Sequence, residues 1–173
     1  MTTSQLPSYE HPAFFSPYLS AVGEVDLLDE LEISLHEFIR YVREIPMDKH
    51  DYRYAEGKWT IKDIIQHLID AERIFSYRAL RIARGDKTPL PGFEEDDYAL
   101  AANGNTRTIQ ELLTEFSSVR NSTLQLFKSL DHFQLANMGT ASDNPISTRA
   151  IGFIIIGHQK HHQRIFNERY LNL

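Results

Sequence analysis

The chain contains no cysteine. That excludes a disulfide framework, a thiolate zinc site and a cysteine nucleophile. Any metal ligand must therefore be His, Asp, Glu or a backbone group. Positive charge is scarce relative to negative, 18 Lys and Arg against 24 Asp and Glu, for a net charge of −6. Nucleic-acid binding needs clustered positive charge, so this balance argues against it. The one local run of arginines, Arg73, Arg78, Arg81 and Arg84, reads as a solvated helix face. Long apolar runs are missing too. Ile151–Gly157 is the longest and is far too short to span a bilayer, so no membrane partner is expected. The opening stretch MTTSQLPSYEHPAFF lacks the basic region and apolar core of a secretory signal, and the expected location is the cytoplasm.

What remains is ordinary globular composition over 173 residues, 42% hydrophobic and 24% charged, enough to bury one core without staples. Three prolines (Pro7, Pro12, Pro17) mark residues 1–20 as an irregular N-terminal arm, and residues 21–173 read as the folded domain. Val25, Leu28, Leu31, Leu35, Phe38 and Val42 recur at helical spacing, and Pro46 ends that helix. A second helix starts at Thr60, with Asp63 three positions later in a variant of the reciprocal capping arrangement. It carries Ile61, Ile64, Ile65, Leu68, Ala71, Ile74 and Phe75 on one face and stops at Gly85. Trp59 is placed to pack back on its first turn. Residues 85–105 form a long connection with an acidic run, Glu94–Asp97, that reads as solvated or as a site-covering loop; such length implies a crossover rather than a hairpin. The pair Thr108 and Glu111 caps a third helix with a buried side at Ile109, Leu112, Leu113, Phe116, Val119, Leu126 and Leu130. Asn144-Pro145 fits a cap followed by a first-turn proline, opening a last helix that runs to about Tyr170. No segment alternates as a strand does. The fold class is all-α, a four-helix bundle with long crossover connections.

Three histidines fall on apolar faces, where an unpartnered imidazole is costly. His67 lies between Ile64 and Ala71. His158 shares its face with Ile151, Ile154, Ile155 and Ile165, and His162 is one turn further on. Neighbours at that offset are about 5–6 Å apart at Cβ, so both rings can reach one ion, and His67 on a facing helix can supply a third bond. Three protein ligands leave a position for substrate or water, as in catalytic rather than structural sites. His161 sits near Arg164 and Glu168 on a polar face and is read as outside the ligand set, as a candidate supporting or substrate-contact residue. His11, His36, His50 and His132 lack an apolar setting and read as surface residues. Asp70 and Gln66 are candidates to support His67, with Asp70 facing solvent as the alternative. Tyr98 and Arg149 are candidate substrate contacts. Helix-borne HExxH, Glu-x-x-His pairs, phosphate-binding glycine loops and nucleophile elbows are all absent.

The segments GKWTIKDIIQHLIDAE and PISTRAIGFIIIGHQKHH resemble the second and fourth helices of the DinB/YfiT-like superfamily. The intervening PGFEEDDYALAANGNTRTIQELLTEFSSVRNSTLQLFKSL resembles it as well, so the likeness spans about residues 24–171. The resemblance implies an up-down-down-up bundle, often a homodimer, whose divalent metal is held by three histidines matching His67, His158 and His162. Some relatives of this kind are thiol-dependent S-transferases or isomerases. The expected function is therefore a divalent-metal-dependent enzyme of the small-thiol S-transferase type, or a metal-dependent hydrolase, acting on a small-molecule substrate. Zinc or nickel is the expected ion and a low-molecular-weight thiol the expected cosubstrate. The alternative is a non-enzymatic, metal-stabilised bundle serving a stress response or a protein partner. DNA binding is suggested only by the superfamily's name and opposed by the charge.

Overall fold

The computed structural model describes residues 1–171. Seven helices are present among them: α1 (Ser16–Val22), α2 (Leu27–Glu44), α3 (Ile61–Ala83), α4 (Glu95–Ala102), α5 (Ile109–Lys128), α6 (His132–Ala136) and α7 (Thr148–Ile165), the last continued by a π-helical segment, Phe166–Leu171. The long helices α2, α3, α5 and α7 form the bundle. Side-chain pairs give their directions. Gln66 meets Arg107 and Ser76 meets Thr123, so α3 and α5 run parallel. Ser34 meets Gln159 and Tyr41 meets Asn167, so α2 and α7 are parallel too. Phe38 against Phe116 and Ser34 against Arg120 make α2 and α5 antiparallel. Trp59 meets Tyr170 and His67 meets His158, which does the same for α3 and α7. The order is up-down-down-up. Because α3 and α5 are parallel, the chain must travel back along the bundle between them. That requirement accounts for the long crossover carrying α4.

Helix starts follow local chemistry. Thr60 Oγ1 accepts from the Asp63 amide and Asp63 Oδ2 from the Thr60 amide, both at 3.1 Å, closing the box that begins α3. Thr108 and Glu111 do the same for α5. Such caps satisfy amides that have no intrahelical partner. The expected cap of α7 is displaced. Ser147, not Asn144, accepts from the Ala150 amide at 3.0 Å. Asn144 and Pro145 instead lie in a strand, β2 (Asn144–Ser147), paired antiparallel with β1 (Met138–Ala141) in the register Met138↔Ser147 to Ala141↔Asn144. The hairpin contradicts the reading that no strand is present. Its two turn residues, Ser142 and Asp143, both have positive φ, 49° and 62°. Asn-Gly or Asp-Gly normally marks such a turn, and Ser-Asp does not announce it.

The segment read as an irregular arm also differs. It holds three short 3-10 turns and then α1, which lies against α7. Gly157 makes that contact possible, since a Cβ there would overlap the Tyr18 carbonyl oxygen and sit 2.7 Å from its carbon. The N-terminal end is fastened twice more: the Met1 amino group pairs with Asp26, and Arg149 Nε donates to Glu10 Oε2 at 2.7 Å.

A buried polar layer divides the core. Arg120, fully buried, donates from Nε and Nη2 to the two oxygens of Glu72 at 2.8 and 2.9 Å. Its Nη1 reaches Ser34 Oγ at 2.9 Å and its Nη2 reaches Gln159 Oε1 at 3.0 Å. One apolar cluster lies on the side of Leu27, Phe75, Phe127 and Phe153, another on the side of Phe38, Ile65, Phe116 and Phe166. The buried face of α5 thus runs Phe116, Arg120, Thr123 and Phe127. Val119 and Leu126, expected inside, are only partly covered.

Candidate metal centre

His67 lies two turns into α3, and His158 and His162 lie one turn apart on α7. Antiparallel packing of the two helices brings the three rings together. His67 Nε2 is 3.0 Å from His158 Nε2, and His162 Nε2 is 3.1 Å from the same atom. All three candidate ligand atoms lie within 4.8 Å of one another. Three nitrogens bonded tetrahedrally to one ion at about 2.0–2.1 Å would sit about 3.3 Å apart, so the donor set fits a divalent ion with little adjustment. The imidazoles are 7–8% exposed. Burial pushes His67 down to about 4, with the charges of Glu95 and Asp96 pulling it partly back. Burial also holds His158 and His162 well below the ordinary value, helped by mutual repulsion among the neighbouring histidines. All three are therefore neutral at pH 7, the form that binds metal. The Nδ1 of His162 is buried without a hydrogen-bond partner among the described residues.

Aromatic rings brace the imidazoles. Trp59, expected against the first turn of α3, lies with its centroid 4.9 Å from that of His67. Tyr18 of α1 lies 5.6 Å from His158, and Phe75 meets the same imidazole edge-on at 6.1 Å. The rings form one end of a cavity of about 390 Å³, whose wall also includes Phe15, Arg78, Phe93, Glu95 and Ser142. Volume and apolar lining are those of a small-molecule site.

The other expected candidates fall in different places. His161 is half-buried on the cavity wall, its ring 4.9 Å from Tyr18. Gln66 and Asp70 face away from the histidines. Gln66 donates to Asp70 at 3.1 Å and accepts from Arg107 at 2.7 Å, within a network that includes Arg73 and Glu115. Burial pushes the Asp70 carboxyl up there. Tyr98 is exposed on α4, its ring 5.0 Å from Phe93, and is not part of the cavity wall. Arg149 serves the N-terminal fastening to Glu10. Three residues of the cavity wall, Tyr18, Glu95 and Arg78, were not among the candidate site residues, although the acidic run had a site-covering loop as one of its two readings. Tyr18 lay in the supposed arm and Glu95 in the acidic run, where α4 brings it to the cavity as the one carboxylate among the described wall residues. Arg78, read as part of a solvated face, is 6% exposed. Its offset of 11 from His67 is the signal that was there to find, since 11 residues make about three turns.

Known proteins share this architecture. The family model of the DinB superfamily matches residues 30–166. A Bacillus cereus (strain G9842) protein named "Putative metal-dependent hydrolase" is 25% identical over 73 residues, a stretch covering 42% of this chain and 42% of that protein. The structure of Bacillus subtilis YfiT, described as a probable metal-dependent hydrolase with an unusual four-helix bundle topology, superposes with a TM-score of 0.75. That match has 17% identity and covers 84% of this chain and 85% of YfiT. A mycothiol-dependent maleylpyruvate isomerase superposes with a TM-score of 0.67 at 12% identity, covering 95% of this chain and 62% of that one. No described helix is long and apolar enough to cross a membrane. With most of its length matched by the family model and its bundle shared with YfiT, this chain belongs to the DinB superfamily.

Proposed function

We propose that this protein is a divalent-metal-dependent enzyme that joins a small thiol to an electrophilic small molecule, with His67, His158 and His162 as the metal ligands. The observation that carries the reading is the convergence of three neutral, buried Nε2 atoms at the end of a cavity far larger than a water molecule. When bound there, the ion supplies Lewis acidity, lowering the pKa of a thiol or water that shares it. Zinc and nickel are the favoured ions, since three imidazoles suit both. The protein's own part is positional. Trp59, Tyr18 and Phe75 hold the imidazoles and exclude water. Glu95 is the carboxylate on hand to accept the proton that a thiol gives up. The aromatic wall receives the apolar part of the electrophile.

A second reading, hydrolysis, is favoured by the names of the Bacillus cereus protein and of YfiT. It uses the same ligands and the same carboxylate, with water in place of the thiol. The family likeness also supports a homodimer as the working assembly.

The test begins with metal analysis of protein purified without a histidine tag. One equivalent of a divalent ion is expected, falling to a trace in His158→Ala. Metal-loaded protein is then offered several low-molecular-weight thiols with monochlorobimane, alongside ester and amide substrates. Conjugation above the His158→Ala rate supports thiol transfer, and hydrolysis alone supports the second reading. Neither activity, together with a large loss of stability on chelation, would leave a metal-stabilised bundle instead.

A further inference from the structure

The cavity has a second charged end. Arg78 follows His67 by 11 residues on α3, which places it about 20° around the helix and about 16 Å along its axis. Ala71 and Phe75 line the cavity between them. Arg78 is 6% exposed, yet no carboxylate pairs with it among the described residues. Its Nη2 donates to the Pro91 carbonyl at 2.7 Å and to Ser142 Oγ at 3.1 Å, both neutral acceptors. A guanidinium has five N–H donors, and these contacts use only Nη2. Buried arginines are nearly always paired with an acid, because an unpaired buried charge is expensive. Arg120 in the same bundle obeys that rule through Glu72, and Arg78 does not. No opposite charge offsets its desolvation, which lowers its pKa. Glu95, the acid in the cavity wall, acts electrostatically on His67 and Tyr18 at the opposite end.

We infer that Arg78 is an anion-binding residue of the substrate site, and that the ligand is an amphipathic carboxylate. Its carboxylate pairs with the guanidinium and its apolar body lies along Phe15, Phe75 and Phe93. Its reactive end points toward the three histidines. A carboxylate is preferred to a phosphate because Arg78 is the one Lys or Arg in the described wall, and a single positive charge balances a single negative one. Ser142 and the Pro91 carbonyl hold Nη2 in place, and the Phe93 ring, 6.0 Å from Cζ, supports the guanidinium. That leaves the Nε and Nη1 N–H groups free to donate charge-assisted hydrogen bonds to a carboxylate. The inference rests on the reading of the cavity as the substrate site, but it does not need the metal.

The test uses full-length protein stripped of metal, in chelator at pH 8, where the histidines are neutral and no ion can capture an acid. The probes are 4-phenylbutyrate and its uncharged partner 4-phenylbutanamide, with binding followed by calorimetry. The acid is expected to bind at least about tenfold more tightly than the amide. That preference should vanish in Arg78→Met and persist in part in Arg78→Lys. The comparison of acid with amide in the unaltered protein does not depend on any variant folding. Equal affinities in the unaltered protein would overturn the inference, as would a lack of binding by either probe at millimolar concentration. So would an intact preference in an Arg78→Met protein that unfolds at the parental temperature. Absence of metal from purified protein would overturn the metal reading and leave this ratio unchanged; loss of the ratio would leave metal binding unchanged.

Discussion

Acid should unfold the metal-free protein through its three histidines, and the size of the effect can be worked out. An imidazole with an ordinary value of 6.5 that burial pushes down to about 4, as at His67, binds its proton more readily in the unfolded chain than in the folded one. Folding stability therefore rises with pH between those values. The stability is fully present above 6.5, is lost as pH falls toward 4, and changes no further below that. From pH 7.0 to 5.5 His67 alone costs about 1.2 kcal/mol, and His158 and His162, also held well below the ordinary value by burial, add losses of the same sign. A domain has only about 5–15 kcal/mol in total, so the transition should be visible well above the carboxylate range. The perturbation is His67→Leu, which removes one titrating ring and keeps an apolar side chain against Trp59. The assay is urea unfolding by circular dichroism in chelator at pH 7.0, 6.5, 6.0 and 5.5. The variant should lose about 1.2 kcal/mol less than the parent over that range. Identical pH slopes would show that His67 is not buried neutral, and the packed histidine cluster would then be wrong.

Three further expectations concern the scaffold that positions the site. Glu72→Leu strands the Arg120 guanidinium in the core and should cost about 3–5 kcal/mol; the double variant Glu72→Leu, Arg120→Leu should recover much of that in urea titrations. Gly157→Ala drives a methyl into the Tyr18 backbone of α1 and should cost about 1–3 kcal/mol; an unchanged melting temperature would refute the close approach of α1 to α7. Burial pushes the Glu10 carboxyl up, but hydrogen bonds from Arg149 and Ser147 outweigh it and hold the pKa below 4.5. Glu10→Gln should therefore cost about 1–3 kcal/mol at pH 7. That difference should close only as pH falls below 4.5 through the folded value, and thermal melts across pH 3–7 check both points.

Local rules carried the sequence far. Helix periodicity in α2, α3 and α5, the Thr60 and Thr108 caps, and the i, i+4 pair of His158 and His162 each depend on residues a few positions apart. Their chemistry is complete within one segment, so the string of residues states it. His67 stood out for a local reason too: an imidazole on an apolar helix face needs a partner to offset its burial.

Whatever depended on a distant partner was decided by the tertiary structure alone. Arg120 and Arg78 look alike in sequence, as helix-borne arginines beside apolar residues. Only packing buries both, and only packing gives one an acid and leaves the other facing a cavity. Asn144-Pro145 is a sound helix start by local chemistry, yet pairing with Met138–Ala141 makes it a strand and passes the cap to Ser147. Tyr18 and Glu95 reach the site because Gly157 admits α1 and the crossover folds α4 back. The physical reason is the same in each case. Hydrogen bonds, desolvation and close packing act between atoms near in space, and a single sequence records that nearness only where it is also nearness along the chain.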